Sequence, residues 1–396
     1  MSYDLSKKLV VGISSRALFD LAEEDKIFCE KGLQAFIDFQ RQNEGGELPP
    51  GSAFPLVQAL LRLNEPTERR VEVILMSKNH PDVSLRVFHS INHYRLDISR
   101  AALTGGAPLG PYLSAFRVDL FLSQWADDVQ AASNQGVAAG LIYAPPAKID
   151  TAPQQIRIAF DGDCVLFSDE AQRVYDRDGL DAFQRFEEAN ASKELPDGPF
   201  GKLLRTLSQI QGPMPETSPV RVALVTDRSN PAHERVIRTL RAWGVRIDEA
   251  FFLGGIPKAG ILKAFSPHMF FDDKPEYCEL AAQNVPTSRV LLPKESVNLT
   301  VSIVSEAANG QDRFLLVCKA YLERDYNDNE AELAEWYRLE TGAFGTDSLS
   351  GFLDEFEESV KSTPRGNERR ASASTDTPKA KLMFFLENLV AKRRRS

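Results

Sequence analysis

From residue 8 to about residue 300, short apolar runs alternate with longer amphipathic stretches. KLVVGI, VEVILMS (71–77) and VDLFLS (118–123) are continuous enough in apolar residues to be strands covered on both faces. Between them, GLQAFIDFQ, FPLVQALLRL and residues 84–94 space their apolar positions at three and four, as helices do. ALTGGAPLG reads as a strand passing into a loop. Such alternation builds βαβ units around a mainly parallel sheet, an α/β fold.

The same order restarts at residue 157. Shifted by about 148 positions, ISSRALF (13–19) falls on DGDCVLF (161–167), and KGLQAFIDF (31–39) falls on DGLDAFQRF (178–186). RVFHSINHYRLDI (86–98) then meets RVIRTLRAWGVRI (235–247). GGAPLGPYLSAF (105–116) meets GGIPKAGILKAF (254–265) with six of twelve positions identical, where chance gives roughly one. We therefore expect a tandem pair of Rossmann-like domains, residues 1–150 and 151–300, the second carrying a small helical cap over about 168–218. A helical extension is expected over 301–361. A disordered linker and short basic amphipathic helix are expected over 362–396, where KSTPRGNERRASASTDTPKAK is poor in apolar residues.

The copies differ where chemistry would sit. Asp161 faces Ile13, Asp163 faces Ser15, Lys258 faces Leu109, and Asp272-Asp273 faces Ser123-Gln124; Thr226 alone has a similar partner, Ser77. All the charged candidates lie in the second copy. Each closes a predicted strand or opens the loop after it, and such loops gather at one edge of a parallel sheet.

Two acids flanking a glycine, a hydroxyl, a lysine and a late acidic pair suit phosphoryl transfer, which demands an in-line nucleophile and neutralised charge. Asp161 is the candidate nucleophile and Asp163 the candidate general acid and base. Thr226 would hold a phosphate oxygen and Lys258 would offset the transferring charge. Mg²⁺ is the natural cation, on Asp161, the main-chain carbonyl of Asp163 and one of Asp272 and Asp273. Asp273 is favoured, since Asp272 should lie on the strand.

The whole-chain balance agrees. With 396 residues, 43% apolar content and a net charge of −9, the chain can bury real cores and offers no basic footprint for nucleic acid beyond a terminal AKRRRS. Cys29, Cys164, Cys278 and Cys318 lack metal-ligand or paired spacing and read as reduced thiols. Without a signal-like start or a membrane-length apolar run, the expected location is cytoplasmic, with homo-oligomerisation left open.

The motif set resembles the haloacid dehalogenase-like phosphohydrolases, and more closely the cytosolic 5'-nucleotidase type I family. ISSRALF, KNH (78–80), SINHY (90–94), TGG (104–106), AFDGDCVLFSDE, the LVT and RS around Asp227, IPKAG and HMFFDDK (268–274) carry the likeness. The resemblance implies Mg²⁺-dependent hydrolysis of nucleoside 5'-monophosphates, AMP foremost, through an aspartyl-phosphate. A sugar-phosphate phosphatase and a nucleotide-binding regulatory protein are the alternatives. Asp227 departs from the small neutral residue expected beside Thr226. The five histidines have no ligand spacing and should pack or cap, with His80 and Asn92-His93-Tyr94 alternatively reaching a nucleotide. Phe183, Phe186 and Phe200 are expected in the cap core, and Lys263 in solvent.

Overall fold

The computed structural model describes residues 3–144, 155–211 and 217–293. The chain divides into a compact unit, Met1–Lys294, and a second, Glu295–Ser396. The expectations for 301–361 and 362–396, and that for Cys318, lie outside the described residues.

The first half runs β1 (Leu9–Ile13), α1 (Ser15–Leu18), α2 (Ala22–Gln42), α3 (Phe54–Leu61), β2 (Val71–Ser77), α4 (Leu85–His93), β3 (Arg100–Leu103), α5 (Gly110–Ala115), β4 (Leu120–Ser123), α6 (Ala126–Asn134) and β5 (Ala138–Ile142). The second runs β6 (Ile156–Phe160), α7 (Glu170–Asp178), α8 (Leu180–Ala189), α9 (Gly201–Ile210), β7 (Val220–Thr226), α10 (His233–Ala242), β8 (Glu249–Phe252), α11 (Lys258–Phe265), β9 (Met269–Asp272), α12 (Pro275–Ala282) and β10 (Thr287–Val290). No helix among the described residues is long and apolar enough to cross a membrane.

The ten strands of the described residues join one sheet in the order β3-β2-β1-β4-β5-β10-β9-β6-β7-β8. Read outward from the junction, the halves carry the same strand order. Every pairing is parallel except β5 with β10, where Ile142 opposes Ser288 and Gly140 opposes Val290. That single antiparallel contact reverses the strand direction between halves. The carboxyl edge of one half is therefore the amino edge of the other.

Alternation along the strands explains the continuous apolar runs. Leu9, Val11 and Ile13 enter a core shared by both halves, together with Ile158, Phe160, Leu224 and Phe271. Val10 joins Ile74 and Phe121 on the opposite face of the first half, while Ala159 joins Val225 and Phe270 on that of the second. Both faces of the sheet are covered, so both parities must be apolar.

A helical pair follows the first strand in each half. α2 is broken at Gly32 (φ 81, ψ 179), and α7 meets α8 at Gly179 (φ 80, ψ −175). Only glycine occupies that region without strain, so the same residue makes the same corner twice. The covering element is narrower than the expected 168–218 span. α9 buries Leu203, Leu204 and Leu207 in the shared core, and Phe200 packs there edge-on against Phe160 and tilted against Phe271 rather than in a cap core.

Candidate active site

The second half's carboxyl edge collects Asp161, Asp163, Thr226, Lys258, Asp272 and Asp273. Asp161 follows β6, and its amide bonds the carbonyl of Phe271 at 2.8 Å. The turn then tightens: the amides of Leu166 and Phe167 both reach the carbonyl of Gly162, at 3.0 and 2.9 Å. A Cβ on Gly162 would stand 3.2 Å from Thr226 Oγ1, so glycine lets the turn approach the end of β7. Thr226 is 1% exposed and its hydroxyl accepts the Arg228 amide at 3.3 Å.

Lys258 opens α11 but is buried, its ammonium donating to Asp161 Oδ1 and to Asp272 Oδ2, each at 2.7 Å. Two carboxylates outweigh the cost of burial and raise its pKa, so it stays charged. Asp161 itself is pushed up to about 7, chiefly by burial; Lys258 opposes this, and Asp272 and Asp163 add to it. Burial also raises Asp272, and with help from Asp161 it takes Asp273 to about 6. One ammonium does not offset the three carboxylates.

Asp161, Asp272 and Asp273 offer oxygens all within 4.8 Å of one another, the one group among the described residues with metal-holding geometry. Three carboxylates against one ammonium leave a formal charge of −2, which suits a dication. Asp273 Oδ1 is buried without a hydrogen-bond partner. Asp272 does end β9 as expected, yet it is wholly buried with both oxygens engaged, Oδ2 by Lys258 and Oδ1 by the Lys274 amide at 2.9 Å. An all-oxygen set with one free carboxylate oxygen fits a hard cation such as Mg²⁺.

Asp163 stands apart, in a network that sequence reasoning missed. The Arg228 guanidinium grips both its oxygens, Nε to Oδ2 at 2.8 Å and Nη2 to Oδ1 at 2.7 Å, and its Nη1 bonds Glu187 of α8. Glu187 is fully buried and also accepts from Arg235 at 2.8 Å, which in turn pairs with Glu170 of α7 at 2.9 Å. Phe183 and Phe186 lie half-buried beneath these guanidiniums, 5.4 and 5.5 Å from Arg228 and Arg235. Four charges on the covering helices and their neighbours thus lead to the candidate acid. Arg228 sits two residues beyond Thr226 and is the arginine of the family-like RS, the signals that could have marked it.

Asp227 hydrogen-bonds the Tyr277 hydroxyl, holding it neutral. The Tyr277 ring lies 4.6 Å from the Lys258 ammonium. The departure at Asp227 thereby becomes a support for Lys258. His80 caps a short 3-10 turn by accepting the Asp82 amide, and Tyr94 packs between Phe19 and Phe54. Because β2 runs opposite to β6, His80 lies at the sheet edge away from Asp161 and does not reach the acidic cluster.

A sequence profile of the 5'-nucleotidase family matches residues 1–297. The chain belongs to the 5'-nucleotidase family. It is similar to human cytosolic 5'-nucleotidase 1B, with 38% identity over 279 residues, a match that covers 67% of this chain and 46% of that protein. The chain thus spans about half the length of this 5'-nucleotidase relative. The family match takes in both halves of the sheet, including the half without the acidic cluster.

Proposed function

We propose that this chain is a Mg²⁺-dependent phosphohydrolase of nucleoside 5'-monophosphates, AMP foremost, built as a duplicated haloacid dehalogenase-like fold whose first copy is inert. The observation that carries it is the buried cluster of Asp161, Asp272 and Asp273 around Lys258, with one carboxylate oxygen unpartnered. Family membership and the name of the human relative support the nucleotide substrate and a cytoplasmic location. The shared strand order and the glycine corners support the duplication.

Asp161 attacks phosphorus, displacing the nucleoside and forming an aspartyl-phosphate; water then cleaves the acyl phosphate and restores the carboxylate. Asp163 gives the leaving oxygen its proton and takes one from the water. Both Asp163 oxygens now accept from Arg228, so acid–base work requires the carboxyl to leave that fork when substrate enters. Lys258 offsets phosphoryl charge, and Thr226 donates to a phosphate oxygen. Asp161, Asp273 and the main-chain carbonyl of Asp163 would hold the Mg²⁺, with Asp272 anchored beside them. The cation's contribution when bound is to neutralise phosphate charge.

Phosphate release from a panel of nucleoside monophosphates and sugar phosphates, with Mg²⁺ and with chelator, tests this reading. Turnover of nucleotides that disappears with chelator is expected. Equal turnover of sugar phosphates would sink the nucleotide assignment, and undiminished turnover in chelator would sink the metal.

A further inference from the structure

The first half has its own partly open cleft, at the edge of the sheet opposite the acidic cluster. α2 and the ends of β1 and β2 surround a cavity of about 680 Å³, within the range of small-molecule sites. Phe28, Phe36 and Trp125 wall it, Phe28 and Trp125 remaining about half exposed. At its base Gln40 is 2% exposed, and its Oε1 has no hydrogen-bond partner. A buried carboxamide without a partner is costly unless something supplies one.

Comparison with the second half explains the unpartnered oxygen. Gln40 takes the place of Glu187, and Asn79 takes that of Arg228, two residues past the Ser77 that answers Thr226. With Asn79 at that place, the Gln40 carboxamide oxygen has no guanidinium donor. The charge around the cavity says what does not enter. Its two basic side chains of full charge are each already paired, Arg16 with Asp25 at 2.7 Å and Lys78 with Asp128 at 2.5 Å. Glu24 is paired with Arg86, and the exposed Asp127 adds negative charge at the rim. A phosphate dianion would find every cation of full charge at the cavity already engaged.

We propose that this cavity binds an uncharged planar heteroaromatic bearing an N–H donor, the base of a nucleoside, stacked among Phe28, Phe36 and Trp125 and paired along its edge with Gln40. A carboxamide offers one acceptor and one donor side by side, the complement of the amine and ring nitrogen of adenine. Aromatic rings supply the stacking. The inference rests on the first half alone and does not require the phosphohydrolase reading.

Equilibrium dialysis of the full chain against adenosine tests it, with the wild type compared with Gln40→Leu and Phe36→Ala. Adenosine should bind the wild type, and each substitution should weaken binding at least tenfold. AMP should show no Gln40-dependent binding. In both variants, phosphate release from AMP without added nucleoside should stay within twofold of the wild type. Gln40→Leu removes an unsatisfied group and should fold normally; Phe36→Ala, at a half-buried position, provides the second check. Absence of adenosine binding at millimolar concentration, or equal binding by all three proteins, would overturn the proposal. Equal dependence of AMP on Gln40 would overturn its charge argument. The binding outcomes can be read even where AMP is not hydrolysed.

Discussion

Replacing Glu187 by Gln removes one negative charge while nearly preserving shape, at a position with no exposure and two guanidinium partners. Arg228 keeps Asp163 and Arg235 keeps Glu170, so neither arginine is stranded. The cost should therefore fall at the low end for breaking a buried pair, about 3 kcal/mol. For a unit of this size, that corresponds to a melting point lower by about 5–10 °C. Loosening Arg228 should also misplace Asp163, lowering kcat for phosphate release by about 10- to 100-fold. Thermal melting by circular dichroism and steady-state phosphate release read the two effects separately. Glu234→Gln is the control, because its pair with Arg238 is half exposed and should contribute less than about 1 kcal/mol. A Glu187→Gln protein that melts within 1 °C of the wild type and keeps its kcat would refute the link from the covering helices to Asp163.

Asp161→Asn should retain the fold but lose phosphate release by more than about a thousandfold, checked by circular dichroism and single-turnover kinetics; activity within about tenfold would remove Asp161 as nucleophile. Lys258→Met leaves Asp161 and Asp272 without their shared ammonium and should lower kcat by about 100- to 1000-fold, measured at saturating substrate. His268 is held neutral at about 4 by burial, with Arg62 reinforcing the effect. Between pH 6.5 and 4 the unfolded chain therefore takes up a proton that the folded chain does not, and stability falls as pH falls, by up to about 3 kcal/mol. Comparing urea unfolding of wild type and His268→Asn across this window isolates the contribution, which should be absent in the variant.

The strands were legible because both faces of the sheet are covered, so VEVILMS or VALV could be continuously apolar without ambiguity of face. The site acids were legible because each closes a strand, and backbone topology alone carries strand ends to one edge. Arg228 and Glu187 were not, since neither ends a strand and their meeting depends on how α8 lies over the sheet. Asp272 was only half legible. Its place on β9 was foreseen, but its engagement by Lys258 required knowing where α11 begins. The reversal at β5 and β10 was hidden for another reason: pairing of two edge strands leaves no mark in the hydrophobic pattern of either. That reversal moves His80 to the far edge.

Comparing the halves position by position separates scaffold from chemistry. The arginine at the start of the fourth helix of each half pairs with an acid at the start of the covering helices in both, Arg86 with Glu24 and Arg235 with Glu170. An ion pair present in both halves, although among the described residues only the second has the three-carboxylate group, serves the fold. By contrast, the first half's edge carries buried Ser15, Ser77, Ser123 and Leu109 where the second carries Asp163, Thr226, Asp272 and Lys258. Ser15 and Ser77 satisfy each other at 3.2 Å. Arg228 and Glu187 have no charged counterparts there, only Asn79 and Gln40. By that criterion the Asp163–Arg228–Glu187 chain belongs with the acids and Lys258. The Arg235–Glu170 pair belongs with the scaffold that both halves keep.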